Sequence, residues 1–131
     1  MKTLFWWLCS MCLWVLSIWI AVTLSMQFVQ AAEIAGQASW YSESDPGIKK
    51  TTANMEIFDE TAMTCAIWDL PFNTKLKVTN IDNGKSVVVR VNDRGPARRL
   101  NRAIDLTKGA FSKISNLNKG IINVRIEEVQ K

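Results

Sequence analysis

An abrupt change of character at residue 32 decides which part of this chain can build a globular fold. Leu4 to Phe28 runs 25 positions without a charge, interrupted only by Ser10, Ser17, Thr23, Ser25 and Gln27. Lys2 is the single charge ahead of it, and Val29-Gln30-Ala31 closes it with small or short side chains at the −3 and −1 positions. A positive start, an apolar run and a small-residue exit predict a signal peptide over residues 1–31, cleaved after Ala31. The alternative is an uncleaved anchor, because such a run can cross ~30 Å of hydrocarbon. Neither Cys9 nor Cys12 follows the small or aliphatic residues of a lipoprotein box, so the expected product is exported and not lipidated.

Cleavage would leave 100 residues, the size of one domain. These carry 15 Lys/Arg against 12 Asp/Glu, an excess of three. So mild an excess gives no argument for nucleic acid and suits a polyanionic wall at most. A membrane enters only through an uncleaved leader, and a monomer is expected. Cys65 is the one cysteine left, which rules out an intramolecular disulfide and predicts a small core residue. The chain has no histidine, which excludes a histidine-based triad and argues against a zinc site. No metal and no cofactor are expected.

Beyond a short polar linker at Ala32–Ala35, most of the pattern is β. Gly36–Tyr41 reads as a first strand, and an alternating strand makes one of Trp40 and Tyr41 core. Ser42–Lys50, rich in Ser, Asp, Pro and Gly, is a loop. Lys75–Asn80 alternates polar and apolar residues, Asn83-Gly84 signals a hairpin turn, and Ser86–Val91 returns with β-branched residues. Asn92–Pro96 is a charged break, and Arg98–Arg102 is basic and loop-like. Ala103–Leu106 is a short strand or bridge, and Thr107 is a candidate N-cap for a helix ending near Asn116. Gly120 precedes a last alternating strand, Ile122–Val129. About six short strands with one or two short helices, joined by irregular connections, favour a small barrel over a βαβ sheet.

Two segments depart from packing patterns: Thr51–Asp59, which carries Glu56, and Val91–Pro96, which carries Asp93. Glycan cleavage needs such a pair, one carboxylic acid to protonate the leaving oxygen and a second anionic group to stabilise an oxocarbenium-like transition state. The competing readings are a solvated loop charge for Glu56 and a turn cap for Asp93.

Five separated motifs then add specificity. They are Gly36-x-Ala38-Ser39-Trp40-Tyr41, Thr52-Ala53-Asn54-x-Glu56-x-Phe58-Asp59, and Leu70-Pro71-Phe72-x-Thr74-x-Leu76-x-Val78-Thr79-Asn80. The run Asn83-Gly84-x-Ser86–Pro96 and the tripeptide Ile104-Asp105-Leu106 complete the series. In this order they resemble the rare lipoprotein A (RlpA) family over residues 36–129. The resemblance implies a mainly β, six-stranded double-psi β-barrel in the periplasm or envelope of a bacterium. It also implies endolytic transglycosylase activity on peptidoglycan strands lacking stem peptides. In that reaction the MurNAc C6 hydroxyl attacks its own anomeric carbon and leaves a 1,6-anhydro end. Glu56 and Asp93 match the family's catalytic carboxylates, with Glu56 taken as the proton donor. Tyr41, Asn54, Arg90, Asn92 and Arg94 would bind the glycan.

Three positions depart from the family pattern. Ile67 replaces a functional histidine, and Met55 and Asn73 replace glycines. Asn73 tolerates left-handed geometry, whereas Met55 predicts a displaced loop ahead of Glu56. Trp68 is expected as a sugar platform or a lid over the groove, and Arg98, Arg99 and Arg102 as a solvated face. Retention of both carboxylates favours an enzyme. The missing histidine favours the alternative, an expansin-like glycan-binding or wall-loosening module without turnover.

Overall fold

The computed structural model describes residues 32–130, so the leader and its cleavage site lie outside the described residues. The strands are β1 (Glu33–Tyr41), β2 (Thr64–Ala66), β3 (Lys75–Asn80), β4 (Ser86–Asp93), β5 (Ile104–Thr107) and β6 (Ile122–Glu128). Among the described residues one α-helix, α1 (Lys108–Ile114), lies between β5 and β6. The strands close into a barrel in the order β1-β5-β2-β4-β3-β6. The β1–β5 and β2–β4 pairs are parallel and the other four are antiparallel.

Alternation decides which side chains fill the barrel. On β3 Leu76 and Val78, on β4 Val89 and Val91, and on β6 Ile122, Val124 and Ile126 turn inward, joined by Ala38, Cys65, Ile104 and Leu106. Helix α1 lays Ala110, Phe111 and Ile114 against this cluster. Its N-cap is Thr107, whose hydroxyl accepts the Ala110 N–H, so the helix begins where the sequence predicts it. Cys65 is buried and free, and burial pushes its thiol up to about 12, in keeping with a core residue.

Three expectations change. The linker at Ala32–Ala35 is almost wholly strand, because β6 runs far enough to pair with it, Glu33 opposite Glu127 and Ala35 opposite Arg125. Strand β4 extends two residues beyond Val91, so Asn92 and Asp93 belong to the sheet and not to the break after it. The hairpin between β3 and β4 is longer than a two-residue turn. Gly84 alone takes positive φ there, and its N–H returns to the Asn80 carbonyl.

Candidate active site

The site lies where the loop between β1 and β2 crosses the end of β4. Along β2 and β4, Cys65 pairs with Val91 but Ala66 pairs with Asp93, so Asn92 is the extra residue of a bulge. A bulge re-aims consecutive side chains, and here it sends Asn92 and Asp93 to different partners. The Asn92 Nδ2 donates to Glu56 Oε2 at 3.1 Å. Asp93 Oδ1 accepts the Ala53 and Arg94 N–H groups, both at 2.9 Å.

Glu56 reaches this position through a small folded loop. Thr51 and Ile57 form an isolated antiparallel bridge, and the Thr52 N–H donates to the Glu56 carbonyl at 2.8 Å. The Asn54 N–H bonds the Asn92 carbonyl at 3.2 Å, which ties the loop to β4. Met55 takes a left-handed backbone geometry, with φ of 71°, and its side chain is 78% exposed. The left-handed backbone is accommodated with the side chain pointing into solvent. Asn73 likewise keeps a positive φ of 69°.

Four N–H groups converge on the Glu56 carboxylate. Arg90 approaches as a fork, Nη1 to Oε1 at 2.6 Å and Nη2 to Oε2 at 2.9 Å. Asn54 Nδ2 donates to Oε1 at 2.9 Å, and Asn92 supplies the fourth. These bonds, those of Arg90 foremost, hold Glu56 down to about 2. The same pairing raises Arg90 above its ordinary value, and Arg90 is also steadied by Asn73 Oδ1 at 3.1 Å. Each of these contacts favours the charged form of the Glu56 carboxylate. Asn92 is 3% exposed, and its Oδ1 has no partner among the described residues.

Tyr41 is buried and stacked on Phe58, with ring centroids 4.8 Å apart. One ring face is therefore taken, and the hydroxyl lies 3.5 Å from Asp93 Oδ2. Burial first and Asp93 second push its phenol well above the ordinary range. A cavity of about 420 Å³ beside Asp93 is lined by Tyr41, Lys49, Thr51, Ala53 and Met55, among others. Arg94 makes its contacts with the Ile67–Phe72 segment. Its Nη1 donates to the Ile67 and Leu70 carbonyls at 2.9 and 2.8 Å, and its guanidinium lies 3.9 Å from the centre of the Phe72 ring. The structure thus groups Glu56, Asn54, Arg90 and Asn92 around one carboxylate, and Asp93 with Tyr41 beside them. Arg94 braces the Ile67–Phe72 segment.

Ile67 is 5% exposed and belongs to the barrel core. Trp68 is 39% exposed; its Nε1 donates to the Pro96 carbonyl at 2.6 Å, and the Arg98 guanidinium lies 4.7 Å from its ring centre. Sequence reasoning assigned no role to the Ala53 N–H, which bonds the Asp93 carboxylate, to Thr52, which bonds Asn54 Oδ1 and the Glu56 carbonyl, or to Asn73, which accepts from Arg90. The glycine replacement at Asn73 marked that residue, but nothing local marked its contact with Arg90.

A closed six-stranded barrel with two parallel pairings and a carboxylate-bearing rim defines the double-psi β-barrel class. Among solved structures the chain is similar to the Streptomyces papain inhibitor, with a TM-score of 0.61 and 21% identity, over 79% of this chain and all of that one. That likeness shows the fold alone. It is also similar to a mutant Clavibacter michiganensis expansin in complex with cellohexaose, with a TM-score of 0.56 and 26% identity, over 76% of this chain and 51% of that one. A family model described as lytic transglycolase matches residues 33–126. The chain belongs to this lytic transglycolase family, the RlpA proteins. The endolytic peptidoglycan transglycosylase RlpA of Vibrio cholerae is 50% identical over 95 residues, covering 72% of this chain and 35% of the relative. That of Campylobacter jejuni is 49% identical over 94 residues, covering 72% and 33%. The chain spans about a third of the length of these relatives.

Proposed function

We propose that residues 33–128 form the catalytic barrel of an endolytic peptidoglycan transglycosylase, exported to the bacterial envelope and acting as a monomer on glycan strands lacking stem peptides. The observation that carries the reading is the Glu56 carboxylate, held as an anion by Arg90, Asn54 and Asn92 in a chain about half identical to proteins named for that activity. When the bond between MurNAc and GlcNAc breaks, positive charge develops at the anomeric carbon. A preorganised anion beside it lowers that barrier because its dipolar surroundings need not rearrange. Asp93, fixed by two backbone N–H groups, adds a second acceptor at the cavity wall, where Tyr41 offers a hydroxyl. In this reading Asn54, Arg90 and Asn92 bind the glycan by holding the Glu56 carboxylate toward it, and Arg94 shapes the groove wall through Phe72.

The purified barrel, residues 32–131, has its own closed core and can be tested alone. Incubation with denuded glycan strands should give 1,6-anhydro-ended fragments by mass spectrometry. Strand binding without such fragments would leave the second reading, a wall-binding module. The likeness to the cellohexaose-bound expansin and the core position of Ile67 favour that reading.

A further inference from the structure

Strand pairing places a third carboxylate on the same surface. Ala66 of β2 is opposite Asp93 of β4 on one side and Asp105 of β5 on the other. Asp105 is in turn opposite Ser39 of β1. The row Ser39–Asp105–Ala66–Asp93 therefore crosses four strands. Residues opposite one another point to the same face of a sheet. With neighbouring strands ~4.8 Å apart, the two aspartates stand roughly 10 Å apart at their α-carbons, with only an alanine methyl between them. This face is not the barrel interior: Ala66 packs with Tyr41 and Phe58, in a cluster separate from the main core.

The Asp105 carboxylate is partly buried there and accepts a hydrogen bond from the Ser39 hydroxyl, itself 4% exposed. Gly95 passes over the same spot. A β-carbon on it would lie 3.5 Å from the Ala66 methyl and 3.9 Å from Asp105 Oδ2, so the chain passes against this row with no side chain between them. The charged groups acting on Asp105 are Arg102 from the loop before β5, Asp45 from the loop after β1, and Asp93 from β4.

We propose that Asp105, in the row it shares with Asp93 across Ala66, is the proton donor of the transglycosylase reaction. This rests on the reading above. In the first step the Asp105 proton moves to the glycosidic oxygen as the bond from that oxygen to the MurNAc anomeric carbon breaks, and GlcNAc leaves with the new hydroxyl. In the second step the MurNAc O6 forms a bond to the anomeric carbon, and its proton returns to the Asp105 carboxylate. No water, oxidant or further reactant is needed, and the protein ends in its starting state.

The electrostatics agree with the geometry. Burial raises Asp105 above the ordinary carboxylate value, and Asp45 and Asp93 push the same way. The Ser39 hydrogen bond and Arg102 offset part of the rise. Glu56 is shifted in the opposite direction. Two carboxylates whose surroundings drive them apart are the arrangement that acid–base cleavage of a glycan needs.

The test combines Asp105→Asn and Ser39→Ala in the purified barrel with a titration of the parent. Asp105→Asn should keep the parent's circular dichroism and strand binding and lose at least ~10²-fold in cleavage rate. Ser39→Ala removes a bond that favours the charged form, so the alkaline limb of the pH–rate profile should move to higher pH. A merely structural serine would not move it. Carboxyl NMR of the parent should show Asp105 titrating above the ordinary aspartate range and Glu56 below it, whether or not the protein turns over. A folded Asp105→Asn variant that cleaves within a few-fold of an active parent overturns the assignment alone. An Asp105 titrating in or below the ordinary range also overturns it. If Asp105→Asn does not fold, the Ser39→Ala limb and the titration decide. A parent that releases no anhydro ends overturns the transglycosylase reading itself.

Discussion

Arg90 and Glu56, 34 residues apart in sequence, meet through two parallel N–H···O contacts of 2.6 and 2.9 Å. Both side chains remain about one-third exposed. The pair is therefore poor evidence of a stability device, since screened ion pairs contribute little. Its consequence is chemical. It favours the charged carboxylate and fixes its orientation.

Glu56→Gln should reduce cleavage of denuded strands by ~10²–10³-fold, the usual cost of removing one preorganised electrostatic contact. The amide loses the negative charge, and its NH2 faces the Arg90 donors. Strand binding should persist in a pull-down. A variant that cleaves at the parent's rate would remove Glu56 from the reaction.

The same carboxylate makes a pH-dependent contribution to stability. Its folded value of about 2 lies below the ordinary 4.5, so the contribution is complete above pH 4.5 and is lost as pH falls through 2. Thermal melts of the parent and Glu56→Gln should differ most near neutrality and converge between about pH 4.5 and 2. A gap that is constant over that window would contradict the assigned pairing.

Met55→Gly should stabilise the fold. A left-handed backbone costs an L-residue ~1–2 kcal/mol, and glycine's greater chain entropy returns ~0.5–1 kcal/mol of that. The Met55 side chain is largely exposed, so its removal forfeits little packing. The melting temperature should rise by a few degrees. A fall would mean that Met55 makes a contact absent from the structure.

Ile67→His should destabilise the barrel by roughly 1–3 kcal/mol, because position 67 faces the core and gives an imidazole no partner. A histidine held neutral in that site has its folded value depressed. The loss should therefore grow as pH falls below about 6.5, where the unfolded chain takes up a proton. Denaturant melts at pH 8 and pH 5.5 check the sign. Equal stability at both pH values would place residue 67 in the groove.

Much of the architecture was legible because it is local. Lys75–Asn80 and Ser86–Val91 alternate on one face, and Thr107 carries the hydroxyl that a helix start needs. Those features depend on neighbours within a few residues, which the order of residues states outright. The motifs also brought out Glu56, Asp93, Asn54, Arg90 and Asn92 as a set. Strand β2 was not legible. Its three buried residues are too few to show a period, and their partners lie on β4 and β5, far along the chain. The bulge at Asn92 was hidden for the same reason, since it exists only as a mismatch between β2 and β4. The protonation of the carboxylates was decided by tertiary structure alone. Glu56 and Asp105 are chemically similar side chains. Convergence of Arg90, Asn54 and Asn92 drives one down, and the sheet that buries the other beside Ser39 drives it up. Electric field and solvent access at a carboxylate are sums over whatever surrounds it in space, and the chain acquires those surroundings only when the barrel closes.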